Sequence, residues 1–275
     1  MRSRPCILVY HDPSPEIFSA HAAFLSEHYT IVDLSCLVDA LETGDWSRVP
    51  AKAVAVTFDD GHKANFRLLG IFKRYSIMPT IYLCSEIVGT KRHFWWMADP
   101  HLSKSLKLLS TEDADRVLLE RHGFSRRRQY EHPQALSLSE VREMRPYVSF
   151  QSHGRFHPIL PKCTDKMCKD EIYESRRTLE RLTGRTIDHF AYPNGDYGRR
   201  EIEHVSNSGY RSARTCRWGW CSKSSDRFQL PAIGIDGNSS VAKLAAQITG
   251  LHHLFDEIRK TLPRRPIHVM DRSKI

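Results

Sequence analysis

Long hydrophobic runs are missing from this 275-residue chain, in which no stretch of apolar residues exceeds five positions. A membrane-spanning helix needs about 20 consecutive apolar residues, so the sequence predicts no transmembrane segment. With 14 glycines and 14 prolines and no repeats, the chain is also unlike collagen or a low-complexity protein. No long apolar stretch follows Met1 to Cys6, so we expect no secretory signal and a cytoplasmic or membrane-surface location.

The seven cysteines are an odd number and are scattered along the chain. Without a predicted secretory signal, this predicts reduced thiols that are mostly buried as small hydrophobic side chains. Cys163 with Cys168, and Cys216 with Cys221, share the same spacing, so a four-thiolate zinc site is an alternative interpretation. Nothing else around them resembles a zinc ribbon, and reduced thiols remain the favoured reading.

Basic residues outnumber acidic ones by 41 to 32, which gives a formal net charge of +9. Part of the excess is local, in the run from Arg126 to Arg128 and at Arg264 and Arg265. The charge indicates either an anionic partner, such as an acidic glycan or lipid head groups, or an ordinary solvated basic face. Since no zinc-finger or RNA-recognition pattern accompanies it, we do not expect a nucleic-acid partner.

Short apolar segments alternate with amphipathic ones along most of the chain. Strands are predicted at residues 7–11, 30–34, 53–58, 80–84, 148–152, 189–193 and 228–235, and helices at 16–28, 63–75, 137–145, 165–183 and 199–208. This alternation predicts an α/β fold in which helices cover a parallel sheet, either open or closed into a barrel. In such folds the chemistry lies at the carboxyl ends of the strands.

Two adjacent carboxylates, Asp59 and Asp60, follow the predicted strand 53–58. Like charges repel and burial disfavours both, so the pair is costly unless it has a use. A divalent metal bound by one carboxylate would leave the other free as a base. Taken alone, the pair is also compatible with the start of the helix at 63–75.

Two histidines, His153 and His157, follow the predicted strand 148–152 in a His-x-x-x-His-Pro pattern. Histidines four residues apart can face one metal from a single turn. With one carboxylate they would leave coordination positions open for water and substrate, which is typical of a catalytic metal site.

Two more strand ends carry polar groups. The strand at 189–193 runs into the turn Asn194-Gly195, and such a turn can direct a backbone N–H into a site as an oxyanion donor. His11 ends the first predicted strand, and that position distinguishes it from most of the fifteen histidines.

Together these motifs resemble those of the polysaccharide deacetylases, the NodB-homology domain of carbohydrate esterase family 4. The resemblance is carried by Thr57-Phe-Asp-Asp-Gly61, His153-x-x-x-His157-Pro158 and Phe190-Ala-Tyr-Pro-Asn-Gly195, in matching order and spacing. The opening from Ile7 to His11 and the run Phe94-Trp95-Trp96 look like the branch that deacetylates bacterial exopolysaccharides. The resemblance to the family covers about residues 5–240 and implies a distorted (β/α) barrel of about seven parallel strands.

The resemblance also implies a metal-dependent removal of N-acetyl groups from a polysaccharide, oligosaccharide or glycolipid, with release of acetate. Asp59 would be the general base, and Asp60, His153 and His157 would bind the metal. The metal is expected to be zinc, although cobalt or nickel can serve in this family.

The third motif is implied to meet the substrate. Tyr192 and Asn194 would contribute to substrate and oxyanion binding, with the backbone N–H of Asn194 helping to hold the developing oxyanion. The late Leu-x-His motif that usually supplies the acid is not matched, and we expect His11 to take that role. His252 or His253 is the alternative acid.

Two positions depart from the family pattern. Many relatives place an arginine that orients the base two residues before the proline of the third motif, and the exopolysaccharide branch often has one after a late Leu-Pro. These positions are Ala191 and Ala232 here. We therefore expect Arg227 or Arg211 to hold Asp59. The lack of both arginines also leaves open a catalytically impaired, glycan-binding relative.

The resemblance divides the chain into a deacetylase domain at residues 5–240, with a variable insertion at 85–137, and a closing helix with a basic tail at 241–275. The insertion carries Trp95 and Trp96, which we expect to form the core of a helical hairpin. Alternatively, its aromatic residues stack on sugars and the Arg126–Arg128 run meets phosphates of a lipid-linked or acidic glycan. A barrel amidohydrolase acting on a small C–N substrate remains the other enzymatic alternative.

Overall fold

Eight short strands form one parallel sheet within residues 4–251, which are the residues that the structure, a computed structural model, describes. The strands are β1 Cys6–Tyr10, β2 Thr30–Val32, β3 Ala53–Phe58, β4 Thr80–Leu83, β5 Ser149–Ser152, β6 His189–Ala191, β7 Ser212–Arg214 and β8 Ile233–Gly234. Seven of them follow the order β7-β6-β5-β4-β3-β1-β8, and β2 pairs with β3.

The two ends of this path come together. Leu230, just before β8, donates its N–H to Ala213 and accepts from the N–H of Thr215, at 2.9 and 3.0 Å. The sheet therefore curls into a distorted barrel of seven parallel strands, which confirms the predicted fold.

Nine α-helices lie around the sheet in the described range. They are α1 Pro15–His28, α2 Leu34–Thr43, α3 Leu69–Arg74, α4 Ser103–Leu106, α5 Thr111–His122, α6 Leu138–Met144, α7 Asp165–Thr183, α8 Arg199–Asn207 and α9 Val241–Thr249. None of these helices combines the length and the apolar character that crossing a bilayer requires. The longest, α7, begins after the N-cap Thr164 and ends at Gly184, which has a positive φ of 65°.

The strands β1 and β3 bury both faces, which explains why they are apolar in almost every position. In β1, Leu8 and Tyr10 belong to the large core between the sheet and the helices, whereas Ile7 and Val9 belong to a smaller inner cluster. That inner cluster also contains Ala191 and Ala232. Small side chains at these two positions leave room inside the barrel for a larger neighbour.

Four parts of the fold differ from the sequence prediction. The helix α2 was not predicted, and it begins at Leu34, within the strand predicted at 30–34. The three-residue strand β7 was not predicted, because Ser212-Ala-Arg214 has no apolar run. The strand predicted at 228–235 is reduced to Ile233–Gly234. The helix predicted at 63–75 begins as a 3-10 turn, Lys63–Leu68, before α3.

The predicted insertion contains a short 3-10 turn, Trp95–Met97, followed by α4 and α5. Trp95 is buried in its core with Leu106, Leu118 and Phe124, whereas Trp96 is only partly buried. One of the two tryptophans therefore has the expected core position, and the other lies partly in solvent. The hairpin is irregular, because α4 is a single turn of four residues.

Candidate active site

A tight turn at the end of β3 carries the two carboxylates. Asp60 and Gly61 both have a φ of 70°, and the N–H of Asp59 donates to the carbonyl of Tyr10 at 2.9 Å. A Cβ on Gly61 would lie 2.4 Å from Cδ2 of Leu83, so this position requires glycine. A positive φ at an aspartate costs energy, and it directs two adjacent carboxylates into the same pocket.

Three of the predicted side chains meet at the carboxyl ends of the strands. The ligand atoms of Asp60, His153 and His157 all lie within 4.8 Å of one another, and all three residues are buried. Oδ1 of Asp60 is 3.6 Å from Nε2 of His153 and 3.5 Å from Nε2 of His157. Among the residues from 4 to 251, this is the one such group of histidine, cysteine or acidic side chains.

The hydrogen bonds of these residues fit a divalent cation. Oδ1 of Asp60 is buried and has no hydrogen-bond partner, which is costly for a carboxylate oxygen unless a cation meets it. His153 donates from Nδ1 to the carbonyl of Ala191 at 2.8 Å, so its Nε2 keeps a lone pair facing Asp60. This backbone contact fixes the tautomer and the ring, as is usual for a metal-ligating histidine.

The electrostatics of the cluster point the same way. Burial lowers the pKa of His157 to about 3, so its imidazole is neutral and able to act as a ligand. Burial opposes ionisation of Asp60, but the hydrogen bond from His62 and the nearby histidines hold the pKa of this carboxyl below its usual range. His62 contacts the second oxygen, Oδ2, at 3.0 Å.

His62 is a site residue that the sequence analysis missed. It lies two positions after Asp60 and fixes the carboxylate by occupying the oxygen that faces away from His153 and His157. Its ring packs against Phe94 of the insertion, with centroids 4.9 Å apart. Its position directly after the Asp-Asp-Gly turn was the sequence feature that could have identified His62 as a site residue.

The second carboxylate is held by a buried arginine. One terminal nitrogen of Arg214 lies 2.5 Å from each oxygen of Asp59, and the two residues are 1% and 3% exposed. Burial would raise the pKa of Asp59, but the charges of Arg214, His153 and His11 hold it below its usual value. Asp59 is therefore ionised in the folded protein.

The prediction that Arg227 or Arg211 holds Asp59 is wrong. Both lie at the opposite end of the barrel, where they form ion pairs with Glu42. Arg214 takes this place because β7 pairs with β6 so that Arg214 lies directly beside Ala191. Its guanidinium also lies over the ring of Tyr82, 5.3 Å from the centroid.

Ala191 is the position at which many relatives were expected to have the arginine. In this chain the cationic side chain comes from β7 instead of β6 and occupies space that Ala191 and Ala232 leave free. Asp59 therefore keeps a cationic partner. The two missing arginines no longer argue for an impaired enzyme.

The third motif forms the expected turn, but its two predicted residues have different environments. Asn194 is exposed with a φ of 59°, and its backbone N–H donates to no acceptor within residues 4–251. Tyr192 is buried, its N–H donates to the carbonyl of Arg214 at 3.1 Å, and its hydroxyl donates to the carbonyl of Phe228 at 3.1 Å. Tyr192 therefore supports the turn through these hydrogen bonds, and its contact with substrate stays a prediction.

His11 lies at the rim, directly after β1. It is exposed, its carbonyl accepts from the side chain of the buried Asn65 at 2.7 Å, and its charge contributes to the lowered pKa of Asp59. The alternative acids His252 and His253 lie outside the described residues.

The insertion contacts the loop that carries the histidines. Trp95 donates from Nε1 to the carbonyl of His157 at 2.8 Å, and Arg126 donates to the carbonyl of Phe156 at 3.1 Å. The ring of Trp96 lies 4.3 Å from that of His157. The variable insertion therefore forms one wall of the site.

The cysteines do not form the alternative zinc site. Cys163 contacts Thr111 and Cys168 contacts Glu201, whereas Cys216 is exposed beside Gly195 and Cys221 is buried next to Pro5. All the cysteines in residues 4–251 are free thiols, and five of the seven are buried, as predicted.

Comparison with known proteins identifies a family for this chain. The family model for polysaccharide deacetylase matches residues 47–213. A comparison with curated proteins gave no match.

Several solved deacetylases share the fold. The Streptococcus pyogenes deacetylase PplD, solved in complex with acetate, superposes with a TM-score of 0.67 at 19% identity, over 90% of this chain and 99% of that chain. IcaB from Ammonifex degensii superposes with a TM-score of 0.67 at 17% identity, over 90% and 97%. The BpsB deacetylase domain from Bordetella bronchiseptica gives 0.62 at 12% identity, over 86% and 97%. At these identities the similarity establishes the fold.

Proposed function

Because this chain belongs to the polysaccharide deacetylase family and is a carbohydrate N-deacetylase, we propose that it hydrolyses the acetamide of an N-acetylated polysaccharide, oligosaccharide or glycolipid with the help of a divalent cation. Asp60, His153 and His157 would hold that cation. The observation that carries the proposal is the adjacency of two differently paired carboxylates, one facing two imidazoles and the other an arginine.

Zinc is the proposed metal, since two imidazoles and one carboxylate are the donor set of many hydrolytic zinc sites, and cobalt or nickel could replace it. When bound, such a cation supplies Lewis-acid polarisation of the acetamide carbonyl and lowers the pKa of water.

Asp59 acts as the general base. Arg214 keeps its carboxylate ionised and fixes both oxygens, so that it accepts a proton from the attacking water without first having to lose one. The guanidinium and the carboxylate are both buried. Because water is excluded from the pair, the electrostatic attraction between the two groups is stronger than it would be in solvent.

The exposed turn at Asn194 supplies the oxyanion donor. Its unpaired backbone N–H lies at the same rim as Asp59, and a positive φ holds it there. Water adds to the acetamide carbon, negative charge develops on the carbonyl oxygen, and the C–N bond then breaks to leave acetate and a free amine.

His11 is the proposed acid that protonates the departing amine. Two observations support it: its position directly after β1 and its electrostatic contribution at Asp59. Alanine at this position is expected to lower kcat about 10²- to 10⁴-fold, the usual contribution of a general acid. An unchanged rate and pH profile in His11→Ala would place the acid elsewhere.

The test is acetate release from N-acetylglucosamine oligomers by protein stripped of metal and then reconstituted with zinc or cobalt. Release should require the added metal, and His153→Ala and His157→Ala should lose both bound metal and turnover. His28→Ala is the matched control, since His28 is half-exposed at the end of α1 and should leave both unchanged. One bound metal per chain without release from any N-acetylated sugar would contradict the proposal.

A further inference from the structure

A cavity of about 400 Å³ lies between the insertion and the first turn of α7. Four basic residues line it: Arg126 and Arg127 from the insertion, Arg155 from the loop between the two histidines, and Lys166 from α7. The catalytic groups described above do not include any of them. The cavity therefore combines charge from three separate parts of the chain.

Two of the four cations are free to meet a ligand. Arg126 already forms an ion pair with Asp115, at 2.6 Å, and donates a hydrogen bond to the carbonyl of Phe156. Arg127 and Lys166 are exposed, and within residues 4–251 neither has a carboxylate within 4.0 Å. Arg155 has only a long contact with Glu86, at 3.5 Å.

The carboxylates of the cavity offset part of this charge. Asp115 is paired with Arg126. Glu171 is buried, and one of its oxygens accepts the backbone N–H groups of Arg155 and Phe156, at 2.7 and 3.0 Å. With Asp170, the lining has three acidic side chains against four basic ones, which leaves an excess of one positive charge, while Arg127 and Lys166 have no acidic partner in the described residues.

Phe156 organises two of these cations. The guanidinium carbons of Arg127 and Arg155 each lie 5.7 Å from the centroid of its ring. Planar guanidinium groups packed on an aromatic ring lose less freedom when they bind an oxyanion than free side chains do. The first turn of α7 adds the positive end of a 19-residue helix, which also favours an anion.

The cavity adjoins the metal cluster through the chain itself. Phe156 lines the cavity, and His157, the next residue, belongs to the cluster. To occupy both places, a glycan with its acetamide at the cluster would extend a neighbouring unit or substituent past His157 toward the basic side chains.

We propose that this cavity is a subsite for an anionic group of the glycan, either a phosphate or a carboxylate, bound by Arg127, Arg155 and Lys166. The proposal rests on the proposed function, because it assigns the charge of the substrate. It predicts that the enzyme prefers an N-acetylated sugar with an anionic neighbour over a neutral one.

The experiment measures binding apart from turnover. Calorimetry on the Asp59→Asn full-length protein compares three N-acetylglucosamine disaccharides: neutral, phosphorylated and uronate-containing. We expect an anionic ligand to bind about tenfold more tightly than the neutral one, and Arg127→Gln with Lys166→Gln to abolish the difference. Tight binding of only the phosphorylated or only the uronate sugar supports the proposal and identifies the anion.

The control removes the same charge elsewhere. Arg121→Gln with Lys169→Gln changes an exposed arginine of α5 and an exposed lysine of α7 that do not line the cavity. This variant should keep the preference. Equal affinity for the three sugars, or the same loss of preference in both double variants, would overturn the subsite, even if acetate release from neutral oligomers establishes the deacetylase.

Discussion

The two ends of the seventh strand carry arginines with very different environments. Arg211, just before β7, pairs with Asp39 and Glu42 and has a side chain that is 34% exposed. Arg214, the last residue of β7, pairs with Asp59, and its side chain has no exposed surface. Three positions along one strand separate an ordinary surface ion pair from the group that holds the proposed base.

The difference shows that place along a strand, more than residue type, decides what an arginine does here. At the amino end of the sheet, water screens the pair and its contribution to stability is small, about 0–1 kcal/mol. At the carboxyl end, both charges are buried, and removal of one leaves the other uncompensated at a cost of about 3–5 kcal/mol. The motif turns lie at this second end.

The largest effect is expected when the buried pair loses its carboxylate. Asp59→Asn should lower kcat about 10²- to 10⁴-fold, because the amide cannot accept a proton from water, while bound metal is retained. Steady-state acetate release with metal analysis of the same sample checks this. Near-normal turnover in the variant would show that Asp59 is not the base.

Removing the arginine instead tests the same pair from the other side. Arg214→Met should lower the free energy of unfolding by about 3 kcal/mol or more, since Asp59 stays buried without a partner, and kcat should fall with it. Arg214→Lys should recover stability better than activity, because an ammonium lacks the planar guanidinium that packs over Tyr82 and fixes the direction of the N–H groups toward Asp59. Denaturant unfolding and kinetics separate the two. If the lysine variant were fully active, the charge alone, without the guanidinium geometry, would be sufficient.

A pH effect is expected where β6 and β7 begin. His189 is buried between Ser35 and Ser212, and burial lowers its pKa to about 4. In the unfolded chain the pKa is about 6.5, so that state gains a proton first as the pH falls. His189 therefore leaves stability unchanged above about pH 6.5 and reduces it between 6.5 and 4, by about 3 kcal/mol at most.

Unfolding free energies of wild type and His189→Gln at pH 7.5 and 4.5 measure this contribution. The wild type should lose more stability than the variant over that range. The same loss in both would show that His189 titrates normally or that other groups dominate.

The smallest effect belongs to the exposed arginine. Arg211→Gln should change the free energy of unfolding by less than about 1 kcal/mol and leave kcat unchanged. A reduction of activity comparable to that of Arg214→Met would mean that the two ends of β7 are coupled and that the comparison fails.

The alternation of apolar and amphipathic segments was sufficient to predict a parallel α/β fold, and the resemblance of the motifs implied the barrel. The continuous apolar run Ala53–Phe58 predicts a buried parallel strand, and the pair Asp59-Asp60 follows it. His153 and His157 follow Ser149–Ser152, which has one apolar residue, and their signal was the His-x-x-x-His-Pro pattern. The start and end of α7 could be predicted from its periodicity and from Gly184.

The partner of the base could not be predicted in this way. Arg214 lies 155 positions from Asp59, in a three-residue strand without an apolar pattern, and the family pattern pointed to Ala191. Only the register between β6 and β7 shows that Arg214 lies beside Ala191. The available signal was topological: a strand was required between α8 and β8, and Arg214 would be at its carboxyl end.

That long separation has a consequence for the order in which the site is built during synthesis. A ribosome-bound chain that has emerged as far as Pro158 already contains the candidate metal ligands Asp60, His153 and His157, but the guanidinium that fixes Asp59 is still more than fifty residues away. The carbonyl that orients His153 also comes later, from Ala191 in β6. Since a domain generally folds as a unit, the site is complete only when β6 and β7 have docked, so hydrolytic competence is one of the last properties that the nascent chain acquires.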